Sequence, residues 1–175
     1  LEQKEDAFLC SNPNGRIPLL ELDDGTCLAE SNAIIWYLAE GSPLVPYERL
    51  ARAQVLQWMF FEQYSHEPYV ATPRYIVKHL PVGSPRRAEL PDRLERGRAA
   101  FTVMERHLTT RRFFVGERYT IADISLYAYS HVAHEGGHDL APFPHVRAWL
   151  DRVADQPGHR PLTARPVRKA PLATR

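Results

Sequence analysis

The sequence predicts a small α/β unit built around a β-hairpin, followed by a domain made only of helices. Two apolar runs flank a turn at 23–25 and predict the hairpin. After a linker at 41–46, rich in glycine and proline, apolar residues recur at the spacing of amphipathic helices. We therefore place the first unit at residues 1–42, the all-α domain at 43–162, and a basic tail, predicted to be disordered, at 163–175.

Composition and charge are those of an ordinary globular protein. Hydrophobic residues make up 44% of the 175 residues, and the net charge of +1 favours neither a nucleic-acid nor a membrane partner. No apolar run approaches the roughly 20 residues of a membrane span. Two cysteines, Cys10 and Cys27, are too few for a disulfide framework, so we expect buried, unreactive thiols and a cytoplasmic location.

The first unit is predicted to contain two helices around the hairpin. Residues 1–10 form a short helix, which the turn residues at 11–15 end. Pro18 then opens the first strand of the hairpin. Ser31 is predicted to cap the helix over 32–40, because a serine hydroxyl accepts a hydrogen bond from the free N–H groups of a helix start.

The second domain is predicted to contain helices at 48–66, 88–108, 120–133 and 144–154. The helix at 88–108 carries Gly97 in its apolar face, which often marks a close contact between helices. The sequence TIAD opens the third helix with the pattern of a capping box, in which two side chains satisfy free backbone N–H groups reciprocally.

The segment HEGGH (134–138) matches the H-E-x-x-H pattern of zinc proteases. That site needs both histidines on one helical turn, whereas Gly136 and Gly137 each cost roughly 1 kcal/mol inside a helix. The segment also follows a predicted helix end and precedes two prolines. We therefore predict a loop that exposes His134 and His138, and no metal.

The region around the hairpin has features of a site for a small zwitterionic peptide. The Ile17–Pro18 bond is a candidate for the cis form, which would turn the Ile17 backbone outward toward an extended ligand. Ser31 lies at a helix start that favours an anion such as a carboxylate. Glu30 beside it could hold an ammonium group. Taken singly, each residue has a plainer structural explanation as a strand boundary, a cap or a solvated charge.

In two separate segments, the chain resembles the cytosolic glutathione S-transferases of bacterial type. The segment GRIPLLELDDGTCLAESNAIIWYL is similar to the second half of their thioredoxin-like domain. The segment FEQYSHEPYVA and the TIAD box are similar to their all-α C-terminal domain. The resemblance covers residues 1–162 and implies a glutathione-transferase-like fold: a partial thioredoxin-like α/β domain followed by a helical bundle.

The resemblance implies roles for named residues. The Ile17 backbone, before Pro18, would pair with the cysteinyl part of glutathione. Glu30 and Ser31 would hold the γ-glutamyl ammonium and carboxylate, and Arg16 would lie near the glycine carboxylate. A second-substrate pocket would draw on polar and aromatic residues of the helical domain: Tyr64, His66, Tyr69, Arg74 and Tyr129. An aromatic on an amphipathic helix is, however, more often a core residue.

The family also has a first strand, helix and second strand that carry the Tyr, Ser or Cys acting on the glutathione thiol. No segment of this chain matches it, so no catalytic residue is assigned, and that residue is expected in a missing N-terminal segment. Because the sequence opens at Leu1 inside a predicted helix, we expect a fragment of an enzyme, or else a shortened relative.

The implied function is conjugation of the glutathione thiol to hydrophobic electrophiles, a detoxification reaction, by a cytoplasmic homodimer without a metal. An exposed apolar face on the helix at 48–66 makes a two-fold interface plausible. A non-catalytic glutathione-transferase-like module that binds other proteins remains an alternative. So does a glutathione-dependent disulfide reductase or dehalogenase.

Overall fold

The computed structural model describes residues 2–162 and residue 164. The tail at 163–175, predicted to be disordered, therefore lies outside the described residues apart from Ala164. The described part contains one two-stranded antiparallel sheet, seven α-helices and several shorter helical turns. Within this part of the chain, no helix combines the length and the apolar character needed to cross a membrane.

The first part of the chain places a hairpin between two helices. After a 3₁₀ turn at Glu2–Lys4 come α1 (Asp6–Leu9), β1 (Leu19–Glu21), β2 (Cys27–Ala29) and α2 (Ser31–Ala39). The strands pair antiparallel, with Leu19 opposite Ala29 and Glu21 opposite Cys27. The predicted hairpin is thus confirmed. At its turn the Asp24 carboxylate accepts a hydrogen bond from the Thr26 N–H, which lowers the pKa of Asp24.

Helix α2 begins one residue earlier than the sequence predicts. Glu30 is its N-cap and Ser31 is already the first helical residue, so the prediction of Ser31 as the cap is wrong. The reason is the backbone of Glu30, which has a φ of 71° and turns the chain directly from β2 into the helix. The Glu30 side chain makes no capping hydrogen bond.

The remaining elements of the described residues are helical and form eight segments. They are α3 (Arg49–Phe61), a π-helical turn (Glu62–His66), α4 (Glu67–His79), a 3₁₀ turn (Pro85–Glu89), α5 (Leu90–Leu108), α6 (Ile121–Ser130), a 3₁₀ turn (Ala133–Gly136) and α7 (Pro144–Ala154). The helix predicted at 48–66 therefore continues past the π turn to His79. Helix α6 ends at Ser130, earlier than the predicted 133.

The core of the helical part is organised around a buried carboxylate. The predicted capping box is present: the Asp123 Oδ2 accepts hydrogen bonds from the Thr120 N–H at 2.9 Å and the Thr120 hydroxyl at 3.1 Å. Its Oδ1 accepts from the Phe114 N–H and from the Trp149 indole N–H. Burial raises the pKa of Asp123, and these donors act in the opposite direction. One side chain therefore joins α6 to α7 and to the loop before α6.

The two thiols differ from the prediction. Cys10 follows the one-turn helix α1 and is exposed, because so short a helix has no buried face. Cys27 is partly exposed in β2. The prediction of buried thiols is therefore wrong for Cys10.

Candidate functional site

One cavity lies where the hairpin and α2 meet the helical domain. Its volume is about 150 Å³. Its walls include all the residues predicted from the resemblance to hold glutathione, together with four others: Arg16, Ile17, Pro18, Glu30 and Ser31, and then Asn12, Gln63, Glu67 and Tyr129. The structure thus brings the first set together and adds a second wall from the helical domain.

The loop before β1 presents an open backbone to this cavity. The Ile17–Pro18 peptide bond is cis, as predicted, and the Ile17 side chain is 71% exposed. Within residues 2–162 the Ile17 backbone makes no hydrogen bond. The buried Asn12 side chain stabilises this loop, because its Nδ2 donates a hydrogen bond to the Arg16 carbonyl at 2.6 Å. An extended peptide could therefore pair with the Ile17 backbone.

The part of the cavity wall at the start of α2 is formed by Glu30 and Ser31. A positive φ at a glutamate costs of order 1–3 kcal/mol, and such strain is concentrated at ligand clamps and active sites. Ser31 is exposed at the start of α2, where unpaired N–H groups and the helix dipole favour a negative group. This end of the cavity is suited to a carboxylate next to a positive group.

A polar network fixes this end to the helical domain. The Asn32 amide donates to Glu62 Oε2 at 3.0 Å and to the Met59 carbonyl, and its oxygen accepts from the Ser125 hydroxyl at 2.8 Å. Glu62 is 2% exposed, and burial raises its pKa while hydrogen bonds from Gln63 and Asn32 lower it. This network was not predicted from the sequence. Its one signal was a polar residue, Asn32, in an otherwise apolar helix.

The residues predicted for a second-substrate pocket do not lie together. Tyr129 lines the cavity, and burial raises its pKa. Tyr64 is 84% exposed. Tyr69 lies beneath the Arg96 guanidinium, and Arg74 forms an ion pair with Glu135 at 2.5 Å. Only Tyr129 of the four therefore shares the cavity with the predicted glutathione residues.

His66, also considered for that pocket, is a core residue. Its Nε2 lies 2.8 Å from the Ser130 hydroxyl, and its Nδ1 has no partner among the described residues. Burial lowers its pKa to about 3, so the ring is neutral near pH 7.

The HEGGH segment is structural in this fold. It forms a 3₁₀ turn and not an α-helix, and His134 is exposed as predicted. The prediction of an exposed His138 is wrong, since its side chain is 7% exposed. Pro73 has no N–H, which leaves the Tyr69 carbonyl without its helical partner, and His138 Nε2 donates to that carbonyl at 2.9 Å. His138 thus satisfies the one backbone carbonyl of α4 that Pro73 leaves without its helical hydrogen bond.

Two glycines allow the HEGGH segment to approach so closely. At Gly97 a side chain would collide with the His138 ring and with the Tyr69 carbonyl, and at Gly136 it would collide with the Arg74 backbone. Glu135 adds ion pairs to Arg74 and Lys78, and hydrogen bonds from both lower its pKa to about 2. Among the described residues, no three or more metal-ligating side chains are grouped to hold a metal ion.

Comparisons with known proteins agree with this architecture. The family model for the glutathione S-transferase C-terminal domain matches residues 57–157, and that for the N-terminal domain matches residues 1–40. A glutathione S-transferase from Pseudomonas fluorescens is 53% identical, with a TM-score of 0.88, over 93% of this chain and 81% of that one. A sphingomonad glutathione S-transferase complexed with glutathione is 29% identical, with a TM-score of 0.71, over 87% of this chain and 74% of that one.

Elongation factor 1-gamma is also similar. The protein from Artemia salina is 36% identical over 138 residues, which are 75% of this chain. They are 31% of the elongation factor, so the chain spans about a third of the length of that relative. Because the C-terminal model covers more than half of the 175 residues, and the Pseudomonas enzyme is matched over most of its length, the chain belongs to the glutathione S-transferase family.

Proposed function

We propose that the chain binds glutathione and belongs to an enzyme that joins the glutathione thiol to electrophilic small molecules. The observation that carries this proposal is the single cavity shared by Arg16, the Ile17 backbone, Glu30 and Ser31. Its open backbone suits the peptide part of glutathione, and the start of α2 suits the γ-glutamyl carboxylate. The similarity to a glutathione S-transferase at 53% identity supports the same function.

The chemistry requires a thiolate, which attacks the electrophilic carbon and forms a C–S bond. In a substitution the bond to a leaving group such as halide breaks and the halide departs with the electron pair; in an addition to a polarised C=C bond the resulting carbanion takes up a proton. A thiol with a pKa near 8.5 is mostly protonated at pH 7, so a residue that stabilises the thiolate raises the rate. We assign this role to none of the residues that line the cavity. The residues of the cavity bind and orient the tripeptide, and Tyr129 lies where a second substrate could approach.

Ser31→Ala tests the proposed site. We expect it to weaken glutathione binding at least about tenfold, because a hydrogen bond to the γ-glutamyl carboxylate is lost. Isothermal titration calorimetry measures the effect. Ser84→Ala is the matched control, since this side chain makes no capping bond and lies outside the cavity. Equal affinity of Ser31→Ala and the unaltered chain would contradict the proposal.

The second function considered is a non-catalytic module that binds proteins. It is favoured by the similarity to elongation factor 1-gamma at 36% identity. Turnover of an aryl halide by the protein would support conjugation. Turnover of a mixed disulfide would support the reductase, and turnover of a haloalkane would support the dehalogenase. Binding of glutathione with none of these reactions would favour the module.

We also propose that the protein is a homodimer. Helix α3 and the residues beside it expose large apolar side chains: Tyr47 at 84%, Leu50 at 71% and Phe60 at 68%. Leu50 and Phe60 lie within about 80° of each other around the helix axis, at 100° per residue. Such a surface is typical of an interface between copies.

Phe60→Glu should weaken this dimer about tenfold or more, because a charge would be buried in an apolar contact. Sedimentation equilibrium measures the association. Val82→Glu changes a side chain that is 86% exposed in the linker before α5, and should leave it unchanged. A chain that sediments as a monomer at all concentrations would contradict the dimer.

A further inference from the structure

A second cavity lies within the helical domain, between α5 and the loop at 137–143. Its volume is about 280 Å³. Residues of α5 form one wall, and the loop that follows the HEGGH turn forms the other. None of its lining residues also lines the cavity at the start of α2. A ligand bound here would therefore leave that cavity free.

The α5 wall of this cavity comes from one face of the helix. Leu94, Arg98 and Phe101 line the cavity, and their spacing of four and three residues places them side by side along α5. Gly97 lies next to them, and a side chain there would collide with the His138 ring. The missing side chain at Gly97 thus allows His138 to lie directly against α5 at the edge of the cavity.

His138 presents an unpaired ring nitrogen to this cavity. Its Nε2 lies 2.9 Å from the Tyr69 carbonyl, which can only accept, so the hydrogen of the ring is on Nε2. Burial lowers the pKa of His138, so the ring is neutral near pH 7 and Nδ1 carries a lone pair. Among the described residues Nδ1 has no hydrogen-bond partner. It is not one of the buried unpartnered atoms, although the residue is only 7% exposed, so it is open to the cavity and can accept from a ligand O–H.

Arg98 gives the same cavity a cation. Its guanidinium makes no ion pair within 4.0 Å and no hydrogen bond to any other described residue, whereas Arg93 and Arg96 of the same helix both pair with carboxylates. The carboxylate of Asp139 also lies at the cavity, and its Oδ1 accepts a hydrogen bond from the Ala141 N–H. Arg98 is therefore available to a negative group of a ligand.

The remaining walls are apolar and include two buried rings. Phe101 and Phe143 lie with their centroids 5.8 Å apart, and Phe101 meets the His138 ring edge to face at 5.6 Å. Leu94 and Pro142 add aliphatic surface. Aromatic side chains pack well against a further ring. The volume lies near the lower end of the roughly 300–1,000 Å³ of small-molecule sites, which suits a ligand of one ring.

We propose that this cavity is a binding site for a small aromatic carboxylic acid that carries a hydroxyl group. The hydroxyl donates a hydrogen bond to His138 Nδ1, the ring packs against Phe101 and Phe143, and the carboxylate pairs with the Arg98 guanidinium. The site is separate from the one proposed for glutathione, and it adds a second class of ligand to the protein.

Isothermal titration calorimetry with 3-hydroxybenzoate and 4-hydroxybenzoate tests the site, since the two isomers place the hydroxyl at different distances from the carboxylate. At least one should bind with a Kd of about 1 mM or lower, as expected for about ten non-hydrogen atoms. Benzoate lacks the hydroxyl, and tyramine has an ammonium group in place of the carboxylate. Both should bind at least about tenfold more weakly than the better isomer.

Arg98→Gln should weaken binding of the better isomer about tenfold, because the charged partner of the carboxylate is lost. Arg106→Gln is the matched control, since Arg106 is exposed on the same helix and lies outside the cavity. The ring nitrogens of His138 locate the ligand. In a ¹H–¹⁵N NMR spectrum of the histidine rings, a hydroxyl that donates to Nδ1 should move the Nδ1 resonance upfield.

Four results would overturn the inference. They are no binding of either isomer up to about 20 mM, tighter binding of benzoate or tyramine, equal affinity of Arg98→Gln and the unaltered chain, and binding that leaves the His138 nitrogen resonances unchanged. A shift of His138 Nδ1 together with a loss confined to Arg98→Gln supports it. Neither result depends on whether the chain binds glutathione.

Discussion

Asp123→Asn should destabilise the protein by about 3 kcal/mol or more, the largest loss that we expect from a single polar substitution. The carboxylate accepts hydrogen bonds from Thr120, Phe114 and Trp149, and its side chain is 0% exposed. In an asparagine, an NH₂ group would replace one of these two oxygens. It would face N–H donors, from which it cannot accept a hydrogen bond. Urea denaturation followed by circular dichroism measures the loss as a lower midpoint.

Asp23→Asn is the matched control for this substitution. Asp23 is exposed in the hairpin turn, so its change should lie within about 0.5 kcal/mol of zero. Equal stability of Asp123→Asn and Asp23→Asn would show that the network around α6 contributes little. A shift of the midpoint for Asp123→Asn with an unchanged slope would indicate a loss of stability without a change in the unfolded state.

Gly136→Ala should cost about 2 kcal/mol, although it adds only one methyl group. The new Cβ would lie 2.7 Å from the Arg74 nitrogen and 3.1 Å from its Cα, both of them backbone atoms of α4. Backbone inside a helix cannot yield as a flexible side chain can, so the 3₁₀ turn must move away. We expect this movement to break the hydrogen bond from His138 to the Tyr69 carbonyl. That carbonyl would then have no hydrogen-bond partner, since Pro73 has no N–H.

Gly83→Ala makes the same chemical change in open space. No atom lies within 4 Å of a Cβ at Gly83, so its unfolding free energy should be unchanged or slightly higher, because alanine restricts the unfolded chain. Thermal unfolding of the two variants side by side gives the comparison. A loss at position 136 no larger than that at position 83 would contradict the close approach of the HEGGH segment to α4.

Local signals in the sequence were sufficient for several parts of the fold. The hairpin follows from two short apolar runs around an Asp-Gly turn, and the capping box from TIAD, because both structures form between residues close in sequence. The cis bond before Pro18 was predictable because only X-Pro bonds adopt that form readily. Helix α7 begins and ends at the predicted residues, between Phe143 and Asp155.

Features that depend on distant residues were not predictable in this way. His138 was expected at the surface because the HEGGH segment alone does not show that His138 contacts α4. The missing N–H of Pro73 leaves the Tyr69 carbonyl free, and the buried His138 side chain binds to that carbonyl. The π turn at 62–66 has no distinct pattern of apolar residues in the sequence. The side of α4 that faces the cavity could therefore not be predicted. Glu67 was missed for that reason, although the two predicted clusters around Ile17 and Ser31 do share its cavity.

The contact between Asn32 and Glu62 has a consequence for protein engineering. The residue after Ser31 is held by a carboxylate of the helical domain, and the Ser125 hydroxyl holds its other end. The orientation of helix α2 therefore depends on contacts with the helical domain. A chimera that joins this hairpin unit to the helical half of another protein should retain the carboxylate and the hydroxyl at positions 62 and 125, or the start of α2 will point elsewhere.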